Sequence, residues 1–297
     1  MTLSAVQPAA GLPQRPTRAM QIWQIIRRDP LALASLIVIA LYALMAIFAP
    51  WVAPYPAQGE GRTSAATVMM APSPAHWLGT DQLGRDVYSR IIFGSRPAFV
   101  VPLLVVGLAV LIGAPLGAIA GFKGGWFDEA IMRVTDLFLA FPSLLLAMAI
   151  TAALGRGLEN AALALVISWW PWYARLVRGA ALSLRERYFV EAAQSMGVRE
   201  TTIIARHILP NCLSPIMVQA TVDLGTVILA MGGLAFIGLG TQPPAADWGL
   251  MISEGRTSIL ESWWIAIFPM LAMLILVLAF NLLGDTLRDI FDPRQYR

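Results

Sequence analysis

Lysine occurs once in these 297 residues, at Lys123, and cysteine once, at Cys212. A lone cysteine excludes an intrachain disulfide and any cysteine-based metal cluster. The two histidines, His76 and His207, lie far apart in the chain, which argues against a histidine metal site. A single lysine also limits nucleotide chemistry. A phosphate-binding loop needs G-x-x-x-x-G-K-[ST], and "GFKGG" around Lys123 has glycine where Ser or Thr is required. ATP hydrolysis is therefore not expected of this chain, and no nucleophile–base pair stands out. Charge is scarce altogether, at 13% of residues, against about 25% in soluble domains. The formal charge of +3 is too small to suggest nucleic acid as a partner. Met1 to Met20 has no apolar core, so no cleavable signal peptide is expected. Arg27-Arg28 precedes an apolar run long enough to span a bilayer, which favours a cytosolic anchor flank over a twin-arginine signal.

What the chain has in abundance is apolar length. Hydrophobic residues make up 58% of it, and the mean hydropathy is +0.67. A spanning helix needs about 20 mostly apolar residues. Six segments qualify: Leu31–Ala53, Pro97–Gly121, Val134–Leu154, Asn160–Leu176, Cys212–Gly240 and Trp263–Leu283. The fourth contains Pro171, which membrane helices tolerate when neighbours satisfy the freed carbonyl. Its Trp169, Trp170, Trp172 and Tyr173 suit the interfacial zone. Gly113, Gly117 and Gly121 recur every four residues on the second span, a spacing that lets helices approach closely.

Six spans put both termini on one side. That side collects fifteen of the 21 basic residues, including Arg15, Arg18, Arg27, Arg28, Arg294 and Arg297. The other side has Arg62, Arg85, Arg90, Arg96, Arg156 and Arg256. The basic side is expected to be cytoplasmic. The expected fold is an all-α membrane protein with six transmembrane helices and both termini cytoplasmic. Its expected division is a cytoplasmic segment 1–30, a first helix 31–53 and an external segment 54–96 with an interfacial helix. A five-helix core 97–288 follows, with a cytoplasmic loop 185–210 inside it, then a tail 289–297.

The stretch "EAAQSMGVRETTIIARHILPN", Glu191 to Asn211, is polar in a greasy chain. From Arg187 to Met196 the spacing predicts a helix, with Phe189, Ala192, Ala193 and Met196 on one face. Gly197 can take the left-handed conformation that stops it. A second short helix is expected near Thr201 or Thr202, either of which could cap it. Ile203, Ile204 and Ile208 give that helix an apolar side, and Pro210 ends it or bends it into the fifth span. A flat alanine face suits docking to a protein, and an amphipathic helix also suits lying on lipid. Periodicity leaves both open.

The residues then resemble a known family. Glu191-Ala192-Ala193, Gly197 and Leu209-Pro210 match the EAA loop of permease subunits of bacterial ABC importers, a motif with fixed spacing. His207 stands where that motif has isoleucine. "HWLGTDQLGRDVYSR", "GLGTQPPAADWG" and "AFNLLGDTLRDIFDP" look like stretches of the dipeptide, oligopeptide and nickel permease class, with Thr286 in place of a frequent glycine. The resemblance covers about Trp23 to Arg294, and the chain is similar to the C-type subunit of a permease pair. It implies docking of the loop into a cytoplasmic ATPase, whose ATP-driven closure switches the membrane helices between inward- and outward-facing states.

The coupling residues it implies are Glu191, Ala192, Ala193, Met196, Gly197, Arg187, Arg199, Leu209 and Pro210. The implied partners are a second, B-type permease, two ATP-binding subunits carrying ATP and Mg, an external binding protein, and membrane lipid. No cofactor is expected in this chain. The implied cargo is a short peptide, with nickel complexes or glutathione as alternatives. A self-sufficient channel or secondary transporter would need no such loop, whereas a non-transporting scaffold would dock partners yet leave no solute path. Asp223, in the middle of the fifth span, could line the translocation path or bond to a neighbouring helix. Asp136 reads as a charge at the start of the third span. Asp81 and Asp86, five apart among glycines, are weak evidence for calcium. Gln242-Pro243-Pro244 to Trp248 reads as a stiff external turn.

Overall fold

The computed structural model describes residues 29–291. The expected cytoplasmic arginines before and after that range, with most of the 1–30 segment and the end of the tail, lie outside the described residues. Among the described residues the chain is helical, and an isolated bridge between Thr80 and Asp86 is the one β-type pairing.

Helix α1 (Pro30–Ile47) starts at Asp29, whose side chain accepts the Leu31 N–H at 2.9 Å, with proline in the first turn. Helix α2 (Val87–Lys123) runs for 37 residues. The expected interfacial helix and second span are thus one continuous helix. Asp86 begins it, accepting the Ser89 N–H at 2.8 Å and the Ser89 hydroxyl at 2.7 Å. Val87, Ile91 and Ile92 are buried against the bundle and do not lie in headgroups. Gly124, at φ +66°, ends α2.

Helices α3 (Gly125–Leu139) and α4 (Ser143–Leu154) stand where one straight third span was expected, and they bend by 85°. Pro142 explains the break, because it disfavours helical backbone at Phe141 and donates no hydrogen bond. Asp136 accordingly lies in the last turn of α3, not at a helix start, and is ion-paired with Arg175. Helix α5 (Leu158–Arg185) passes through Pro171 unbroken. Helices α6 (Tyr188–Ser195) and α7 (Glu200–Ile203) fall within the expected coupling segment. Helix α8 (Leu213–Phe236), the short α9 (Trp248–Gly255) and α10 (Trp264–Phe291) complete the bundle.

By length and composition α1, α2, α8 and α10 could each cross a bilayer, and the bent α3–α4 pair could make a fifth crossing. Helix α5, expected as the fourth span, is long enough but carries Arg175, Arg178 and Arg185 near its end. Its Trp169 and Tyr173 are buried in the bundle core and not at an interface, whereas Trp172 is exposed.

The glycine spacing on α2 does what the sequence suggested. A β-carbon on Gly113, Gly117 or Gly121 would lie within 3.0 Å of the backbone carbonyls of Trp170, Ala174 or Arg178. Helices α2 and α5 therefore pack backbone to backbone. Their shared core takes in Val105, Leu165, Tyr173 and Val177, and extends to Ile203 and Ile208 of the coupling segment and to Val227 and Leu234 of α8. A second cluster joins α9 and α10 to the start of α2 through Trp248, Met251, Ile265 and Leu276. Toward the C-terminal end of α10, the buried Thr286 hydroxyl lies 3.3 Å from the Asp29 carboxylate, a contact to α1 that glycine could not make.

Candidate functional site

The coupling segment turns two faces in opposite directions. Val190 and Ala193, three residues apart on α6, are buried against the bundle. Tyr188 is 90% exposed and Met196 76% exposed, with Phe189, Glu191 and Ala192 exposed between them. The outward stripe is therefore Phe189, Ala192 and Met196. Ala193, expected in that stripe, faces inward, because α6 packs onto the bundle through it and Val190. Arg187 precedes α6 and Arg199 precedes α7, both exposed at the rim. Leu209 packs against the core and Pro210 is exposed.

Gly197 takes φ +75°, as the sequence suggested. Its N–H donates to the Gln194 carbonyl at 2.9 Å, and the Val198 N–H donates to the Ala193 carbonyl at 3.1 Å. That bond pair is the Schellman closure of a helix. Val198 then packs on the core beside Ala193, so the joint is fixed by bonds and burial together. Helix α7 starts at Glu200 after Arg199, one residue before the threonines expected to cap it. It passes into a π-helical turn, Ile204–Ile208, in which the Leu209 N–H donates to the Ile204 carbonyl. The wide turn precedes Pro210, which has no N–H to give, and the Asn211 side-chain amide donates to the His207 carbonyl at 2.6 Å. His207 is half-buried, its ring 6.3 Å from that of Phe189.

Asp223 is buried on α8. The Tyr173 hydroxyl of α5 donates to its Oδ2 at 2.6 Å, and Gln219 donates to its Oδ1 at 3.0 Å. The carboxylate ties α8 to α5.

Helix α2 is about 55 Å long at the usual rise per residue, and a second polar cluster stands at its other end. Asp81 is 2% exposed, its Oδ2 2.6 Å from Arg85 Nε and 3.6 Å from Arg90 Nε. Glu254 of α9 lies 2.9 Å from Arg85 and 3.6 Å from Arg90, and is 22% exposed. Both guanidinium groups are buried, and Arg85 Nη1 and Arg90 Nε have no hydrogen-bond partner. Asp86 caps α2 and holds His76 Nδ1 at 2.9 Å. The two aspartates are thus committed to arginine, histidine and a helix start, which leaves no calcium set. The 242–248 turn is pinned from below. Arg90 donates to the Pro244 and Ala245 carbonyls, Trp248 Nε1 donates to the Ile91 carbonyl, and Asp247 caps α9. Burial pushes the Asp247 carboxyl above the usual carboxylate range, against its bonds from Leu250 and Thr241.

Comparison with known proteins decides the family. Residues 113–297 match the model of the binding-protein-dependent transport system inner membrane component, and residues 17–72 match the N-terminal transmembrane domain of oligopeptide transport permease C. This chain belongs to the binding-protein-dependent transport permeases. It is 43% identical to the probable D,D-dipeptide transport system permease protein DdpC of Escherichia coli, covering 97% of this chain and 96% of that protein. It is 41% identical to the dipeptide transport system permease protein DppC of Alkalihalophilus pseudofirmus, over 98% and 96% of the two chains. It is 42% identical to the glutathione transport system permease protein GsiD of Shigella sonnei, over 92% and 90%. A solved structure, of inward-facing MetNI methionine ABC transporter, shares the fold with a TM-score of 0.55 at 19% identity, covering 68% of this chain and 97% of that one. The chain is a multi-pass inner-membrane protein and a transport subunit.

Several residues of this permease were not legible in its sequence. Glu254 and Asp81 are 173 positions apart and meet only through two arginines. Tyr173 read as an interfacial aromatic, and nothing local marks it as the partner of Asp223. The π turn had one signal, the proline that follows it.

Proposed function

We propose that this chain is the membrane-spanning subunit of an ATP-driven importer of short peptides, coupled to its motor through α6. In this reading six spans cross the membrane, with both termini cytoplasmic. The bent α3–α4 pair and α5 make the third and fourth crossings. A second, B-type permease completes the path, two ATPase subunits hold ATP and Mg, and an external binding protein delivers the cargo.

The observation that carries the proposal is the outward stripe of α6. Phe189, Ala192 and Met196 are exposed on a helix locked at one end by the Gly197 joint. A small residue between two larger apolar ones forms a shallow seat, and Arg187, Glu191 and Arg199 rim it with charge, as an interface requires. Ala193 and Leu209 serve the coupling from the other side by fixing the segment to the bundle, and Pro210 serves it by following the π turn with a residue that has no N–H to give. Force on α6 then passes through the π turn into α8. Asp223 acts there as the tie that makes α5 and α8 move together, and any contact with cargo would require that tie to open.

The peptide cargo is supported by relatives named for D,D-dipeptide and dipeptide transport. Glutathione is the second reading, supported by a relative named for it at similar identity. The test is Ala192→Trp with Met196→Glu in the assembled, reconstituted transporter. Both positions are exposed, so the permease should fold normally while losing its ATPase subunits and peptide uptake. Normal association together with normal uptake would rule the coupling role out.

A further inference from the structure

Beside the coupling segment, and separate from its outward stripe, an open cleft of about 380 Å³ is lined by Phe122, Lys123, Phe127, Arg185, Gln194 and Glu200. Its charges do not balance. Lys123 lies 3.4 Å from Glu200, the one acid in the lining, and 4.7 Å from the centre of the Phe127 ring. Arg185 forms no ion pair among the described residues, and its Nη1 stands 3.0 Å from where a β-carbon on Gly124 would be. Gly124 is the residue from which α3 begins, without a side-chain cap, so Arg185, in the last turn of α5, stands between the carbonyl end of one helix and the N–H end of another. Asp128, the acid in the first turn of α3, is already held by Arg178 through two bonds of 2.5 and 2.7 Å. Two cations and a helix start thus share one acid. Phe127, in the lining, and its neighbour Trp126 are both exposed, as aromatic side chains at headgroup depth are.

We infer that this cleft binds the phosphate of an anionic phospholipid headgroup. Lys123 and Arg185 contact the phosphate oxygens, the uncapped start of α3 contributes N–H groups, and Trp126 and Phe127 meet the acyl boundary. Basic pockets at helix ends hold anionic headgroups in this way. Because Gln194 and Glu200 belong to the coupling segment, a bound lipid would brace that segment against the end of α2. The inference does not depend on what docks on α6.

Native mass spectrometry of the purified full chain tests it, with phosphatidylglycerol and phosphatidylcholine titrated separately. The first phosphatidylglycerol should bind more tightly than phosphatidylcholine. Lys123→Gln with Arg185→Gln should weaken it roughly 25-fold, about fivefold for each cation. Glu200→Gln removes the competing acid and should tighten it, and Arg133→Gln, outside the cleft, should leave it unchanged. Equal binding of phosphatidylglycerol by the wild type, the double variant and Glu200→Gln would overturn the inference. Displacement of the lipid by inorganic phosphate would overturn the lipid as source. In the assembled transporter, a cross-link from Lys123 to an acidic residue of the ATPase that persisted when phosphatidylglycerol was added would overturn it by assigning the cleft to protein.

Discussion

Single atoms decide two features of the fold in and around the Glu191–Asn211 segment. Gly197 holds φ +75°, where a residue with a β-carbon such as alanine pays about 1–2 kcal/mol. Gly197→Ala should therefore loosen the α6–α7 joint without touching the outward stripe. Hydrogen exchange at Val198 should rise severalfold, while the bundle's melting temperature moves little. The Tyr173–Asp223 bond is the opposite case, local in extent but buried. Tyr173→Phe leaves a buried acceptor short of a donor, at a cost of about 1–3 kcal/mol. In an Asp223→Leu background the same change should cost much less, and a double-mutant cycle on thermal unfolding reads the difference. The glycine was legible because a sequence displays its missing side chain. The Tyr173–Asp223 bond was not, because its partners are 50 residues apart and each alone fits several roles.

Among the elements, the α2–α5 pair rests on three glycines that admit one backbone to another. Gly117→Ala would push a methyl group into the Ala174 carbonyl, whereas nothing lies within 4 Å of a β-carbon on Gly107 of the same helix. Overpacking of this kind costs about 1–3 kcal/mol. Gly117→Ala should lower the melting temperature by several degrees, and Gly107→Ala should leave it level or slightly raised. Equal effects at the two sites would mean the helices are not held by close backbone approach. The four-residue glycine spacing made this interface readable, since close packing in a membrane depends on small residues. The α3–α4 break was harder to read. Hydropathy sums over Val134–Leu154 register the grease and not the direction, and only Phe141-Pro142 marks where the chain turns. The α2 start was misread for a related reason: one helix with a mixed start and a long apolar run looks like two elements until its single cap is seen.

Across the whole molecule, a buried charge cluster stands at one end of α2 and the Glu191–Asn211 segment near the other. Asp81, Arg85, Arg90 and Glu254 join the 76–90 segment to α9 with little water to weaken them. Removing one member of a buried ionic set costs about 3–5 kcal/mol, because the remaining charges stay buried. Asp81→Asn should destabilise the protein by about that much. Glu254→Gln should cost less, as that side chain is partly solvated. Thermal unfolding of the purified permease distinguishes the two, and similar losses would contradict the burial order. The sequence showed these residues as scattered charges on the arginine-poor side, and folding alone made them one group.

The scarcity of two side chains has a practical consequence. Lys123, at the cleft, is the only side-chain amine, and Cys212, the only thiol, is buried. An acylating reagent would therefore label a single side chain, that of Lys123, besides the α-amino group, while a thiol introduced at Met196 would have no exposed native competitor. Two dyes could be placed by ordinary chemistry on either side of the coupling segment, and the distance between them followed through a transport cycle in an otherwise unaltered protein.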